Sequence, residues 1–134
     1  MIKNLPLIFS SSIIGIILFQ SALVAPAVNK LIHASEASVF LRYIWPKFFI
    51  IICVISFISF LIIAINSNQN LLKYLSFTSF LLMLICYLIT PSINEAKDSL
   101  DQQLWTVLHM LTIILTLITL ILNSLIIIYW KYLN

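Results

Sequence analysis

The stretch WTVLHMLTIILTLITLILNS, residues 105–124, decides the fold class. It contains no charged side chain, and about 20 consecutive apolar residues are enough for one helical crossing of a bilayer. We therefore predict a membrane-spanning helix. Its polar residues recur in steps of three and four, a spacing that places them on one face of a helix: His109, Thr112, Thr116, Thr119 and Asn123.

The rest of the chain is equally apolar. Hydrophobic residues make up 63% of the 134 residues and charged residues 8%, which is more apolar surface than a soluble domain of this size can bury. The sequence predicts one all-α domain, an integral membrane four-helix bundle, because lipid cannot satisfy open backbone groups. The predicted spans are about Leu7 to Ala25, Phe48 to Ile65, Leu71 to Ile89 and Leu104 to Tyr129.

The first apolar run has a second interpretation. Lys3, the run itself and the small residues around Pro26 are also typical of a secretory signal with its cleavage site. The apolar core of such a signal has about 7–15 residues, and the run from Leu7 to Val24 is longer. We therefore expect it to remain as a span.

Four spans place both termini on one face of the membrane, together with the turn between Asn66 and Asn70. We call this face the termini side and the opposite face, with the segments 26–47 and 90–103, the loop side. Basic residues occur on both faces, whereas all four acidic residues lie on the loop side. Since the termini side is purely basic, with Lys3, Lys73 and Lys131, we expect the termini in the cytoplasm of a bacterial cell, with the bundle in its inner membrane.

Both loop-side segments contain signals for a short interfacial helix. Residues Ala34 to Tyr43 form one candidate. In the other segment, Ser92 and Glu95 have the spacing of a capping box, which predicts a helix start at Ile93. A helix from Ile93 to Tyr129 would greatly exceed the bilayer core, so we expect a bend or break between Leu100 and Leu104.

A second polar stripe runs along the third span: Ser76, Ser79, Met83, Cys86 and Thr90. The third and fourth spans are consecutive and antiparallel, so their stripes can face each other. Small and hydroxyl-bearing side chains let membrane helices approach closely and hydrogen-bond across the contact. We interpret both stripes as the inner face of the bundle.

Ionisable residues inside spans tend to face the protein interior or a water-filled cavity, so His109 is the first candidate for a functional site. We predict that it points inward, near Cys86 and the start of the second span, and is neutral at pH 7. Counted inward from the loop side, the other three spans each place one polar or thiol side chain at a comparable depth. These three side chains, His109 and two residues of the loop side form the candidate polar pocket: Gln20, Cys53, Cys86, Asn94, Asp98 and His109.

Two thiols and an imidazole could hold a soft or borderline ion such as Cu(I) or Zn(II). None of the three residues, however, forms a local ligand motif with another. A haem would need His33 to fold back towards His109. We therefore expect no metal and no cofactor. The alternative is a membrane-embedded protein that binds a metal or haem and acts in redox chemistry or metal handling.

Several short motifs resemble those of the transmembrane protein 205-like domain family, small four-helix membrane proteins of largely undefined function. They are VAP at residues 24–26, WPKFF at 45–49, TPSIN at 90–94 followed by Asp98, and WTVLHMLT at 105–112. The sequence departs from that family at Asn29, Met110 and Thr116. The resemblance implies a four-span fold and directs attention to Pro26, Pro46, Pro91, Asn94, Asp98 and His109, but it implies no reaction.

The sequence favours a binding function over catalysis. No Ser–His–acid order, phosphate loop or paired catalytic carboxylates occur within the spans. We expect a non-enzymatic bundle whose loop-side pocket binds a small ligand, an ion or a partner. The alternative is a small accessory subunit of a larger membrane complex. The bilayer is the expected partner, and a membrane protein or a second copy of the chain is a further possible partner. Nucleic acid is not expected, because the few charges lie at span ends among headgroups.

Overall fold

In the computed structural model, which describes residues 4–133, the chain forms four long helical segments. The first combines α1 (Leu5–Phe19), a π-helical turn (Gln20–Val24) and α2 (Ala25–Leu31). The others are α3 (Ala34–Asn66), α4 (Asn70–Asp98) and α5 (Gln102–Leu133). Lys3 lies outside the described residues, as does the side chain of Lys131, so their predicted place on the termini side is not described.

All four segments are long and apolar enough to cross a membrane, and they contain the four predicted spans. Each segment packs against its neighbours in the chain, and α1 also packs against α5. The segments therefore form a ring in which α3 and α5 lie diagonally opposite each other. This confirms the predicted all-α four-helix architecture of an integral membrane protein.

The two predicted polar stripes are buried against each other in the half of the bundle nearest the termini. The Asn123 carboxamide donates to the Ser79 hydroxyl at 2.9 Å, and Ser79 shares a hydrogen bond of 3.2 Å with Ser56. The Ser76 hydroxyl donates to the Ser56 carbonyl at 3.2 Å. These bonds join α3, α4 and α5 where small side chains allow close approach. The predicted inward direction of both stripes is confirmed, with Thr116 half-buried and the other threonines and serines of the prediction buried.

Apolar side chains complete the interior in two clusters. Towards the termini, Ile63, Leu72, Ile126 and Trp130 close the end of the bundle. Further towards the loop side, a larger cluster joins α1, α3 and α4 around Ile52 and Met83. The termini-side half of the bundle is therefore tightly filled.

The loop-side segments differ from the prediction in one respect. Residues 34–43 and 93–98 are helical as expected, but they continue α3 and α4 without a break, and Pro46 and Pro91 lie inside those helices. The capping-box prediction at Ser92 and Glu95 was wrong, because α4 runs through both residues. At 33 and 29 residues, both helices are longer than the roughly 30 Å hydrocarbon core requires, so their loop-side ends reach the interface as parts of long helices.

The first segment contains a π-helical turn just before Pro26. Proline lacks an N–H, and its ring clashes with the carbonyl four residues earlier, which here belongs to Ala22. In the π-turn the Ala25 N–H donates to the Gln20 carbonyl, five residues back. The wider turn lets the helix continue to Leu31. Such bulges inside helices are frequent at functional sites.

The predicted break between α4 and α5 is present at residues 99–101. The Asp101 N–H donates to the Ala96 carbonyl at 3.0 Å, and the Leu100 N–H donates to the Lys97 carbonyl at 3.4 Å, the two bonds of a Schellman motif. The Asp101 carboxylate then caps α5 by accepting from the Leu104 N–H at 2.9 Å. The turn requires a φ of 59° at Leu100, a backbone conformation that favours glycine.

Leu100→Gly should therefore stabilise the protein. Leu100 is 88% exposed, so little packing is lost, while relief of the left-handed conformation should raise the free energy of unfolding by up to about 1 kcal/mol. Leu104→Gly, inside α5, should lower it by about 1 kcal/mol. Reversible unfolding in mixed micelles measures both changes, and a loss of stability in Leu100→Gly would contradict the turn described here.

Candidate functional site

The loop-side half of the bundle encloses a cavity of about 330 Å³. It lies between the diagonal helices α3 and α5, with α1 and α4 completing its walls. The residues that line it are Ile17, Ser21, Ala25, Trp45, Phe49, Thr90, Ile93, Asn94, His109, Thr112, Ile113, Thr116 and Leu117. None of these side chains carries a formal charge other than His109 when protonated.

Aromatic rings form two opposite parts of the wall. On α3, Trp45 stacks on Phe49 with ring centroids 5.7 Å apart. On α5, His109 stacks on Trp105 with centroids 5.1 Å apart and planes at 10°. Each pair is four residues apart on its helix, a spacing that brings side chains together. Both stacks fix the orientation of a ring that lines the cavity.

The threonine hydroxyls in the wall use their protons locally. Thr90 donates to the Cys86 carbonyl at 2.8 Å, and Thr112 and Thr116 donate to the carbonyls of His109 and Thr112 at 2.7 Å. A hydroxyl has one proton and two lone pairs, so these three oxygens keep only acceptor capacity towards the cavity.

The side chains of Asn94 and His109 have unused hydrogen-bonding groups. Among the described residues, the hydrogen bonds leave the Asn94 carboxamide and the His109 imidazole without a protein partner. The carboxamide can both donate and accept, and so can neutral imidazole. Among the described residues, the Ser21 hydroxyl also lines the cavity without a protein partner. These three side chains can therefore both donate a hydrogen bond to a ligand and accept one from it.

Of the six residues predicted for the polar pocket, Asn94 and His109 line the cavity and four do not. Cys53 is buried, with its sulfur 3.9 Å from the Phe80 carbonyl, and Cys86 is fully buried beside Thr116. Gln20 is buried in the π-turn, where its Nε2 has no hydrogen-bond partner. The prediction estimated depth along each helix, whereas the rotation of each helix decides which side chains reach the cavity.

Asp98, the sixth residue, makes a different contact. Its carboxylate forms a two-point ion pair with Arg42, one bond being 3.0 Å from Nη1 to Oδ2. The pair links the loop-side ends of α3 and α4. The Asp98 side chain is well exposed and that of Arg42 is 34% exposed, so solvent screens the pair and it contributes only about 0–1 kcal/mol to stability. Its role is to fix the relative position of the two helix ends rather than to line the cavity.

The two cysteines and His109 do not converge. Within residues 4–133, no group of three or more His, Cys, Asp and Glu side chains is placed to hold a metal ion. His109 is half-buried and lines the cavity with Trp45 and Phe49 of the second span, as predicted, but without a thiol beside it in the wall. Its neutral charge state stays a prediction.

The sequence interpretation missed the walls supplied by α1 and α3. It did not place Ser21, Ala25, Trp45 or Phe49 in the predicted pocket. Two signals were present: the four-residue spacing of Trp45 and Phe49, and Pro26, which requires a local rearrangement of the first helix around Ala22 and Ala25. Both features mark the part of the chain where the bundle is not closely packed.

The sequence matches the family described as Domain of unknown function (DUF4149) over residues 8–99. The chain belongs to this family. The matched region contains α4 and nearly all of α1, together with α2 and α3. It ends before α5, which supplies His109, Thr112 and Thr116 of the wall. No match was found among curated proteins or among solved structures.

Proposed function

We propose that this protein is a non-enzymatic integral membrane protein that holds a small neutral ligand in its loop-side cavity. The observation that carries the proposal is a cavity with mainly apolar walls in which the hydrogen-bonding groups of Asn94, His109 and Ser21 lack a protein partner among the described residues. Ligand sites are typically concave, mostly apolar and supplied with a few polar groups, with volumes of about 300–1,000 Å³. The cavity lies at the lower end of that range.

The composition of the wall supports binding over catalysis. Its residues include no carboxylate and no thiol, so no acidic side chain of the wall orients His109, and the three wall threonines already donate their protons to backbone carbonyls. Acid–base and nucleophilic mechanisms both depend on a base that is paired with an acid or a nucleophile.

The motifs that resemble the transmembrane protein 205-like domain family support the proposed cavity. All four motifs behind that resemblance contribute to the wall: Ala25 from VAP, Trp45 and Phe49 from WPKFF, Thr90 and Asn94 from TPSIN, and His109 and Thr112 from WTVLHMLT. We propose that the chain is of this kind and that the motifs together form a binding cavity. Large apolar side chains are exposed around the outside of the bundle, where lipid is the proposed neighbour.

A brominated probe tests occupancy of the cavity. In a variant with Trp105→Phe and Trp130→Phe, Trp45 is the remaining tryptophan and lies in the wall. We expect 4-bromophenol to quench its fluorescence with a saturable component in lipid nanodiscs, because a bound heavy atom contacts the ring. Partitioning of the probe into the bilayer alone gives quenching that rises linearly.

Two alanines one turn apart provide the matched control. Ala25 lines the cavity, whereas Ala22 is exposed on the outside of the same segment. Ala25→Phe should remove the saturable component by filling the cavity, and Ala22→Phe should preserve it. Linear quenching alone in the parent protein would refute the proposal, as would equal behaviour of the two phenylalanine variants.

We further propose that the bundle lies in a bacterial inner membrane with both termini in the cytoplasm. The support is the acid-free termini side, since cytoplasmic loops carry an excess of basic residues. A reporter fused after Asn68 should be cytoplasmic, and one fused after Asp101 should lie outside. Equal locations would contradict four spans, whereas a simple reversal would contradict only the orientation.

A further inference from the structure

The cavity has an opening within the depth of the membrane. Ile113 and Leu117 line it and are nevertheless 40% and 53% exposed, and Ser21 in the π-helical turn that follows α1 is also both lining and exposed. All three lie inside membrane-spanning segments, on helices that pack against each other. The exposed surface of these residues therefore faces acyl chains, and the gap between α1 and α5 connects the cavity with the bilayer.

The polarity of the cavity changes along the membrane normal. Asn94 lies four residues before the end of α4, close to the loop-side interface, and His109 lies near the start of α5. Leu117, eight residues after His109, lies about 12 Å deeper. Asn94 and His109, which can both donate and accept, thus lie nearest the interface, and the deeper wall combines Thr112 and Thr116 with apolar side chains. This arrangement matches an amphiphile in the adjoining leaflet with its head towards the loop side.

The hydrogen-bond capacity of the walls restricts the polar head. The Thr90, Thr112 and Thr116 hydroxyls can only accept from a ligand, since their protons are used. Asn94 and neutral His109 can each accept and donate. A head that carries a proton to donate and an oxygen to accept can satisfy both kinds of group, whereas an ether or ester offers acceptors alone.

A charged head would not be stabilised. The lining residues include no Lys, Arg, Asp or Glu, and burying an unpaired charge in a largely apolar site is strongly unfavourable. Arg42, on the loop-side end of α3, is already paired with Asp98. Phospholipid heads are therefore poor ligands for the cavity.

We infer that the ligand is a neutral lipid with a hydroxyl-bearing head, taken up sideways from the bilayer between α1 and α5. The hydroxyl binds among Asn94, His109 and the wall threonines. The chain leaves past Ile113 and Leu117 into the leaflet. This inference rests on the proposed function, because it specifies the ligand of the same cavity.

Three photoactivatable probes of equal chain length test the inference in nanodiscs: a long-chain alcohol with a mid-chain diazirine, its methyl ether and its phosphate monoester. The alcohol should label α1 and α5 around Ser21, Ile113 and Leu117, saturably and in competition with 4-bromophenol. It should bind about fivefold more tightly than the ether, which corresponds to about 1 kcal/mol for one hydrogen bond. The phosphate should give only unsaturable labelling.

Variants separate the head site from the opening. Asn94→Leu combined with His109→Phe should reduce the difference in affinity between the alcohol and the ether, because only the wall hydroxyls remain as acceptors, while labelling of α5 persists. Ala25→Phe should abolish saturable labelling, and Ala22→Phe should not. Intact secondary structure by circular dichroism accompanies each variant.

The outcomes distinguish this inference from the proposed function. Saturable quenching by 4-bromophenol without saturable labelling by the alcohol would overturn the lipid inference and leave a small-ligand cavity standing. Equal affinity of alcohol and ether in the parent protein would overturn the hydroxyl-bearing head, and preference for the phosphate would overturn its neutrality. Absence of both saturable signals would overturn the proposed function as well.

Discussion

The hydrogen bonds among Ser56, Ser79 and Asn123 hold three of the four helices together in the half of the bundle nearest the termini. In lipid, apolar side chains gain little by leaving the solvent, so helices associate through close packing and polar contacts. Ser56 and Ser79 provide close packing and a polar contact together, because a serine side chain is small and carries a hydroxyl. Asn123, only 2% exposed, also donates to the Thr119 carbonyl of its own helix, so its carboxamide reaches Ser79 from a fixed orientation.

The same polar stripe changes its role along α5. Towards the termini it ends in Asn123, which bonds to α4. Towards the loop side, Thr112 and Thr116 bond to their own helix, and α5 is separated from α3 by a cavity. Pro26 and the π-turn belong to this looser half, where they shape α1 around the opening. A bundle closed by hydrogen bonds at one end can thus remain open at the other without losing its fold.

Periodicity made the spans and the buried stripes predictable, because a polar face repeats every three to four residues whatever the helix contacts. Periodicity could not predict that α4 continues through Ser92 and Glu95, where a capping box was expected. The Ser92–Glu95 pattern is local, whereas burial of Thr90 and Ala96 on either side stabilises a continuous helix through Pro91. The candidate site was half predictable for a related reason. Depth along a helix can be counted, but the rotation that directs Cys53 and Cys86 into the core, and the π-turn that contains Gln20, depend on packing between helices.

A double-mutant cycle between Ser79→Ala and Asn123→Leu tests the central claim most directly. Unfolding free energies in mixed micelles should show a coupling of at least about 0.6 kcal/mol, the average for hydrogen bonds between membrane helices, with about 1.7 kcal/mol as the upper limit. Ser124→Ala provides the control, since Ser124 bonds only to the Leu120 carbonyl of its own helix, and it should be additive with Ser79→Ala within about 0.3 kcal/mol. Additivity of Ser79→Ala and Asn123→Leu would contradict a bundle closed by this contact.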